Sequence, residues 1–358
     1  MNGVKQTVLW WGKFDSGYSR NRIMKNAFVQ LGWNIRSFVP RNTRFGYLEA
    51  RLKRVASAEL VFVPCFCQKD IDTAIKFGCH HGIPVMIDPL ISLYDSRVFE
   101  RQTVAEGSSE AKRLLDWERS AFSRADGVIA DTVEHGRYYS EVLGVEPGKI
   151  QVVPVSAEEE LFVPANDERV PQNPIQVLFY GSFIPLQGVD VIVDAIRAYD
   201  GPKLNWCLLG GTGSACKQEC EQALAGVDNV VFEENIPYAS LSARIHQADI
   251  LLGVFGKTDK TVRVIPNKVY QAIACAKPVV TCDGPYPVEL SDENESGIVF
   301  VPPGNAKALA DTVARLAAEP ERLALLGRRA RQSYERFFDN RRVCDALGQA
   351  LNRLMGAV

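Results

Sequence analysis

Short apolar runs that alternate with amphipathic stretches limit this chain more than any other feature. Six runs fall at 7–12, 33–40, 59–66, 84–90, 126–132 and 149–156. Six more fall at 175–182, 204–211, 229–234, 248–255, 277–283 and 297–303. Helical patterns, such as 21–31 and 111–123, lie between them. Strands alternating with helices of this length predict βαβ units and a parallel sheet. The segment 161–174 is rich in Pro, Asn and charge and lacks periodicity, so it reads as a linker between two series. The expectation is an α/β protein of two doubly wound domains facing each other across a cleft. A chain of 358 residues suits about two domains of roughly 150 residues each. The expected bounds are 1–165 and 174–335, with a C-terminal helix at 336–358 that has the option of crossing back to the first domain. The last fifty residues are helical in pattern, and basic residues dominate from Arg322 to Arg342.

Composition removes other classes. The chain is 46% hydrophobic and 23% charged, which is ordinary for a globular protein and unlike a disordered or coiled-coil chain. No stretch approaches the roughly 18 apolar residues of a spanning helix, and the N-terminus reads as a first strand rather than a leader. A cytoplasmic location is the default. The nine cysteines are odd in number and make no disulfide framework. Cys65, Cys67, Cys79 and His80 lack metal-site spacing, and Cys207, Cys275 and Cys282 read as small core residues, so no metal is expected. The net charge of −2 hides a segregation. From Arg20 to Arg54 there are nine basic residues and one acid, Glu49, interleaved with Phe38, Phe45, Tyr47 and Leu48. Such a segment suits anionic lipid or a phosphorylated acceptor, or else two ordinary solvated helix faces. Nothing in the composition calls for nucleic acid.

Ligands of doubly wound domains bind beyond the carboxyl ends of the strands, so the residues at the end of each run and just after it are the candidates. In the second series these are Gly181-Ser182 and Gly210-Gly211-Thr212-Gly213, two glycine turns suited to phosphate or to tight packing. After 248–255 come Arg263, Pro266, Asn267 and Lys268, where Pro266 suits a first helical turn. Cations there oppose the helix dipole by roughly 0.3–1 kcal/mol each, a cost that a bound anion reverses. In the first series, Asp15, Gly17, Arg20 and Asn21 follow the first run as acceptor or phosphate candidates. Asp88 follows the fourth, as a group that orients an acceptor hydroxyl, as its base, or as a turn aspartate before Pro89. His80 and His81 precede a strand, and His135 and His246 read as surface or packing residues.

The stretch Val269-Tyr270-Gln271-Ala272-Ile273-Ala274-Cys275-Ala276-Lys277-Pro278-Val279-Val280 resembles the Leu-Glu-Ala-Met-Ala-x-Gly-x-Pro-Val-Val pattern of the retaining glycosyltransferases of family 4, group 1. Val288-Glu289 and Ser296-Gly297-Ile298-Val299-Phe300-Val301-Pro302-Pro303-Gly304 fit the segments that follow it, and residues 110–340 share the likeness. The resemblance implies the GT-B fold of two Rossmann-like domains. It implies transfer of a sugar from a nucleotide-diphosphate donor, with retention, to an acceptor hydroxyl of a surface glycan or glycolipid. It implies no cofactor beyond the donor, and peripheral contact with the inner face of an anionic membrane is compatible with it. The family holds the donor diphosphate with an Arg and a Lys where this chain has Ser182 and Gln187. It carries two glutamates where this chain has Arg263 and Gln271. The inference is compensation. Arg263 and Lys268 take the diphosphate charge, with Gly181, Ser182, Gly210, Gly211, Gly213 and Asn267 around the donor. Gln271 is left for a ribose hydroxyl and Glu289 for a sugar hydroxyl. Two rivals stay open: a non-catalytic nucleotide or phosphosugar-binding protein of the same fold, and a nucleotide-sugar epimerase.

Overall fold

A computed structural model describes residues 6–166 and 174–356; residues 167–173 of the expected linker lie outside it. The chain divides into two units, one running to Ser156 and resuming at Asn340, the other Ala157–Asp339. The first unit holds six parallel strands: β1 (Thr7–Trp11), β2 (Asn34–Phe38), β3 (Leu60–Val63), β4 (Val85–Ile87), β5 (Gly127–Ala130) and β6 (Ile150–Val152), in the order β2-β1-β3-β4-β5-β6. The second unit holds β7 (Ile175–Gly181), β8 (Leu204–Gly210), β9 (Val230–Glu233), β10 (Ile250–Leu252), β11 (Val279–Cys282) and β12 (Ile298–Val301), also all parallel, in the order β12-β11-β10-β7-β8-β9. Each of the twelve apolar runs therefore contains a strand, and the two doubly wound α/β units follow from them.

The apolar runs are continuous because both faces of each sheet are covered. In β1, Leu9 and Trp11 enter one core with Val61, Val63 and Ile87. Val8 and Trp10 enter the opposite core with Phe62, Ile129 and, from the C-terminal helix Asn340–Met355, Val343, Leu347 and Leu351. That helix packs against Ser19–Gln30 and β6. In the second unit Ile175, Val177 and Phe179 face the helices Val189–Ala198 and Ala306–Ala317 through Ile192, Ile196, Leu309 and Val313.

Strand order fixes where ligand chemistry can sit. In the second sheet β7 has β8 on one side and β10 on the other, so the strand order reverses between β7 and β10 and the loops that leave them diverge. That crevice is the usual ligand position of an open parallel sheet. In the first sheet the corresponding place lies between β1 and β3.

Candidate active site

The second unit builds its site from two loops that touch. The loop after β7 ends at Gly188, where φ is +65° and an added Cβ would lie 2.4 Å from the Phe255 carbonyl carbon. The Phe255 N–H donates to the Gln187 carbonyl at 3.1 Å. Only glycine permits that approach, which joins the β7 loop to the segment after β10. That segment makes a short turn, Asp259–Val262, and then the helix Asn267–Ala274, with Pro266 as its N-cap.

Lys268, in the first turn of this helix, is 6% exposed. Its Nζ donates to Gln187 Oε1 at 2.5 Å and stands 3.8 Å from the centre of the Phe179 ring. Among the described residues no carboxylate pairs with it. Burial therefore pushes the ammonium well below the ordinary lysine range, with nothing to offset the desolvation. Gly181 lies directly over it, since a Cβ there would stand 3.2 Å from Nζ. The result is a buried amine, capped only by a glycine and a neutral amide, at the strand-order reversal. This is a place that an anion would complete.

The other sequence candidates divide. Arg263 is half-buried, in the same connection as Lys268, and its N–H donates to the Lys260 carbonyl at 3.0 Å. Asn267 opens the helix, and Ser182 is exposed at the end of β7. Glu289 is exposed on the turn Val288–Leu290. Gln271 corrects the expectation of a ribose contact. It is buried, its Oε1 accepts from Tyr180 Oη at 2.9 Å, and its Nε2 donates to Tyr238 Oη at 3.2 Å. Both ends of the amide already have protein partners, so Gln271 ties β7 to the turn at Tyr238. Burial holds the Tyr180 phenol well above its ordinary pKa, which keeps it a donor.

Two of the three glycines after β8 also have packing reasons. A Cβ on Gly210 would stand 2.2 Å from the Gly181 carbonyl oxygen, and one on Gly211 would stand 2.5 Å from the Phe183 ring. Only Gly213 faces open space. Gly210 and Gly211 are thus required for close contact with the β7 loop, whatever their N–H groups bind. Ser214 caps the next helix by accepting from the Lys217 N–H at 3.2 Å.

The first unit reassigns its candidates more sharply. Arg20 is fully buried. Its Nε and Nη2 donate to Asp88 at 2.8 and 3.3 Å, and its other contacts go to the carbonyls of Val153 (3.1 Å) and Pro154 (2.5 Å). Burial raises the Asp88 carboxyl and Arg20 opposes it; the guanidinium stays charged. The pair joins the helix Ser19–Gln30 to the ends of β4 and β6. This leaves Asp88 as an ion-pair partner rather than a base, and Arg20 as a post rather than an acceptor contact. Asn21 is likewise buried, donating to the Asp15 carbonyl at 2.8 Å and accepting from Cys65 Sγ at 3.1 Å. Asp15 accepts from the Gly17 N–H at 2.7 Å, and both lie exposed after β1.

Sequence reading passed over Asp131 and took His135 as a surface or packing residue. Asp131 Oδ1 lies 2.5 Å from His135 Nδ1, just beyond β5, and both are buried. His135 is therefore neither a surface residue nor simply apolar packing. Its Nε2 and the Tyr139 hydroxyl are buried without a hydrogen-bond partner among the described residues. Gln187 was visible only as a departure from the family pattern. The nine cysteines are free, and among the described residues no three His, Cys, Asp or Glu side chains form a metal-sized cluster.

Comparison with known proteins bears on the fold and on the second unit's likeness to a family. A "D-inositol 3-phosphate glycosyltransferase" of Segniliparus rotundus is 30% identical over 244 residues, which cover 63% of this chain and 52% of the relative. Another of that name, from Saccharomonospora viridis, is 26% identical over 267 residues, 69% of this chain and 60% of the relative. The chain thus spans about half to three-fifths of these relatives. Among solved structures, sucrose-phosphate synthase from Thermosynechococcus elongatus superposes with a TM-score of 0.77 at 17% identity, covering 99% of this chain and 100% of that one. Anabaena HepE in complex with UDP gives 0.70 at 14% identity, covering 97% and 99%. At such identities these two show the shared fold. Residues 165–333 match the family described as "Glycosyl transferases group 1". That segment, which carries Gly181, Gln187 and Lys268, is where the chain is similar to the group 1 glycosyl transferases.

Proposed function

We propose that this protein is a retaining glycosyltransferase that takes a sugar from a nucleoside diphosphate and gives it to an acceptor hydroxyl. The observation that carries the reading is Lys268, a buried amine without a counter-charge beneath Gly181 at the strand-order reversal. In the transfer, the bond from the anomeric carbon to the diphosphate breaks and a bond to the acceptor oxygen forms. The acceptor proton goes to the departing phosphate oxygen, so no separate base is required. Negative charge grows on the diphosphate as that bond breaks, and a cation already in place lowers the barrier. Lys268 supplies it from below and Arg263 from the same connection, with the Ser182 hydroxyl and the Gly181 N–H as further donors. Protein cations in this role make the reaction metal-independent. Gln187 stands where the family has a lysine, and Lys268 Nζ reaches the same spot from the opposite loop. This supports the idea that one cation substitutes for another. Retention rests on the family resemblance, as do the glycan or glycolipid acceptor and a cytoplasmic location at the inner face of a membrane. Among the described residues no helix is long and apolar enough to cross a membrane.

One set of observations favours a second reading, binding without turnover. Asp88 and Gln271 are both occupied by protein partners, and Ser182 and Gln187 replace cations. A single experiment separates the two. Calorimetry with UDP, GDP and ADP, and with UDP-glucose, is run beside a hydrolysis and transfer assay. Saturable diphosphate binding with release of nucleotide from a donor supports the enzyme. Binding with no release for any donor and acceptor supports the second reading. No binding of any diphosphate ends both.

A further inference from the structure

The basic segment recognised in the sequence is not one surface. Arg20 is buried on Asp88, Lys25 lies over the Trp10 and Phe14 rings, and Arg36 donates to the Ser57 carbonyl. What remains is the short stretch from Val39 to Arg54, centred on the helix Gly46–Leu52. This helix turns Gly46 and Ala50 inward, against the helix Ile71–His81. A Cβ on Gly46 would stand 2.9 Å from Thr73 Oγ1, so the inner face is fully used. The outer face ought to be polar. It instead carries Phe45, Leu48 and Leu52, which are 61%, 53% and 77% exposed. Their spacing of three and four places them in one stripe. Phe38 and Tyr47, apolar candidates in the sequence, are buried and half-buried and take no part.

Exposed cations surround the stripe. Arg41, Arg44, Arg51, Lys53 and Arg54 are all at the surface. The only acid of the segment, Glu49, is held by Lys53 Nζ at 2.6 Å and by the Arg41 N–H at 2.7 Å. A large apolar stripe left in water and a local positive excess therefore coincide within residues 41–54.

We propose that this face docks on an anionic lipid bilayer, with Phe45, Leu48 and Leu52 entering the boundary between headgroups and acyl chains and the arginines meeting lipid phosphates. Charge complementarity selects the negative partner, and the apolar stripe selects a bilayer. A soluble polyanion satisfies the arginines but leaves Leu48 and Leu52 in water. A membrane surface satisfies both at once. The inference does not depend on the donor chemistry proposed above. It gives that chemistry a place, since an acceptor carried on a lipid is presented at the surface where the first unit docks.

The test is co-sedimentation of the full chain with vesicles of phosphatidylcholine alone and of phosphatidylcholine mixed with phosphatidylglycerol, at low and high salt. Three variants are compared: Arg44→Glu/Arg51→Glu, Leu48→Ser/Leu52→Ser, and Arg336→Glu in the other unit as control. Nucleotide binding is measured on each to verify the fold. The wild type is expected to bind the anionic vesicles in a salt-sensitive way. Each lost cation near such a surface weakens binding about fivefold, and charge reversal more. The charge pair is therefore expected to lose at least about 25-fold, the leucine pair at least about 10-fold, and the control nothing. Loss in the charge pair with the leucine pair unaffected overturns the proposal in favour of a polyanion. Absence of anionic-vesicle binding, or binding retained in both double variants, also overturns it.

Discussion

Replacing Lys268 by methionine separates a functional lysine from a structural one. Methionine keeps the length and the apolar path past Phe179 but removes the charge. In the free protein the ammonium is 6% exposed and has one neutral partner, Gln187 Oε1. Burying this nitrogen even as the neutral amine, the form that burial favours, costs on the order of 1–3 kcal/mol. The variant loses that cost and also loses one hydrogen bond worth about 1 kcal/mol. Its stability is therefore expected to be unchanged or raised by up to about 2 kcal/mol. A unit of this size shifts by roughly 2–4 °C per kcal/mol. Diphosphate binding moves the other way. A charged hydrogen bond is worth about 1.5–3 kcal/mol, so affinity for UDP is expected to fall about 10- to 150-fold. Urea unfolding gives the first quantity and titration calorimetry the second. A variant destabilised by more than about 1 kcal/mol, with UDP affinity within twofold of wild type, would show that Lys268 is a packing residue and refute the argument.

The pH dependence has a definite sign. Between the depressed value of Lys268 and the ordinary 10.5, the unfolded chain binds a proton that the folded chain resists. Stability should rise with pH across that window, the slope should vanish in Lys268→Met, and an identical slope in both proteins counts against the assignment. Diphosphate binding should take up a proton in the same window, visible as a dependence of binding heat on the buffer. Gln187→Glu sets a carboxylate against Nζ, which restores the lysine charge but neutralises the site; UDP affinity is expected to drop about tenfold, and unchanged affinity would contradict the geometry. Asp88→Asn leaves Arg20 buried and unpaired and is expected to cost about 3–5 kcal/mol, much of it recovered in Arg20→Met/Asp88→Leu. If the double variant is no better than the single in urea unfolding, the ion pair is not what Asp88 contributes. Gly210→Ala drives a Cβ toward the Gly181 carbonyl at a φ of +120°, and a loss below about 1 kcal/mol would mean that the two loops are looser than described.

The strands were legible because their cause is local. A strand of a parallel sheet covered on both faces must be apolar at every position, and 7–12 or 248–255 advertise that without reference to any distant residue. The helix starting at Asn267 was legible for the same reason, since Pro266 marks its start. The polar partnerships were not. Asp88 meets Arg20 across 68 positions, Lys268 meets Gln187 across 81, and Gln271 meets Tyr180 across 91. Gly210 read as a phosphate or a packing glycine alike, and only the Gly181 carbonyl against it supplied the packing reason. His135 looked idle until Asp131 was found at its ring.

By itself the amino-acid order determined two doubly wound units and the family description that residues 165–333 match, because burial periodicity and short motifs act over a few residues. Only the tertiary structure decided which charges are spent and which are available. Arg20 and Lys268 are both buried cations following a strand in the chain. One faces a carboxylate and is neutralised, the other faces a glycine and an amide and is not. That difference depends on which distant side chain the packing brings within 3 Å, and the pattern of a single stretch carries no record of it.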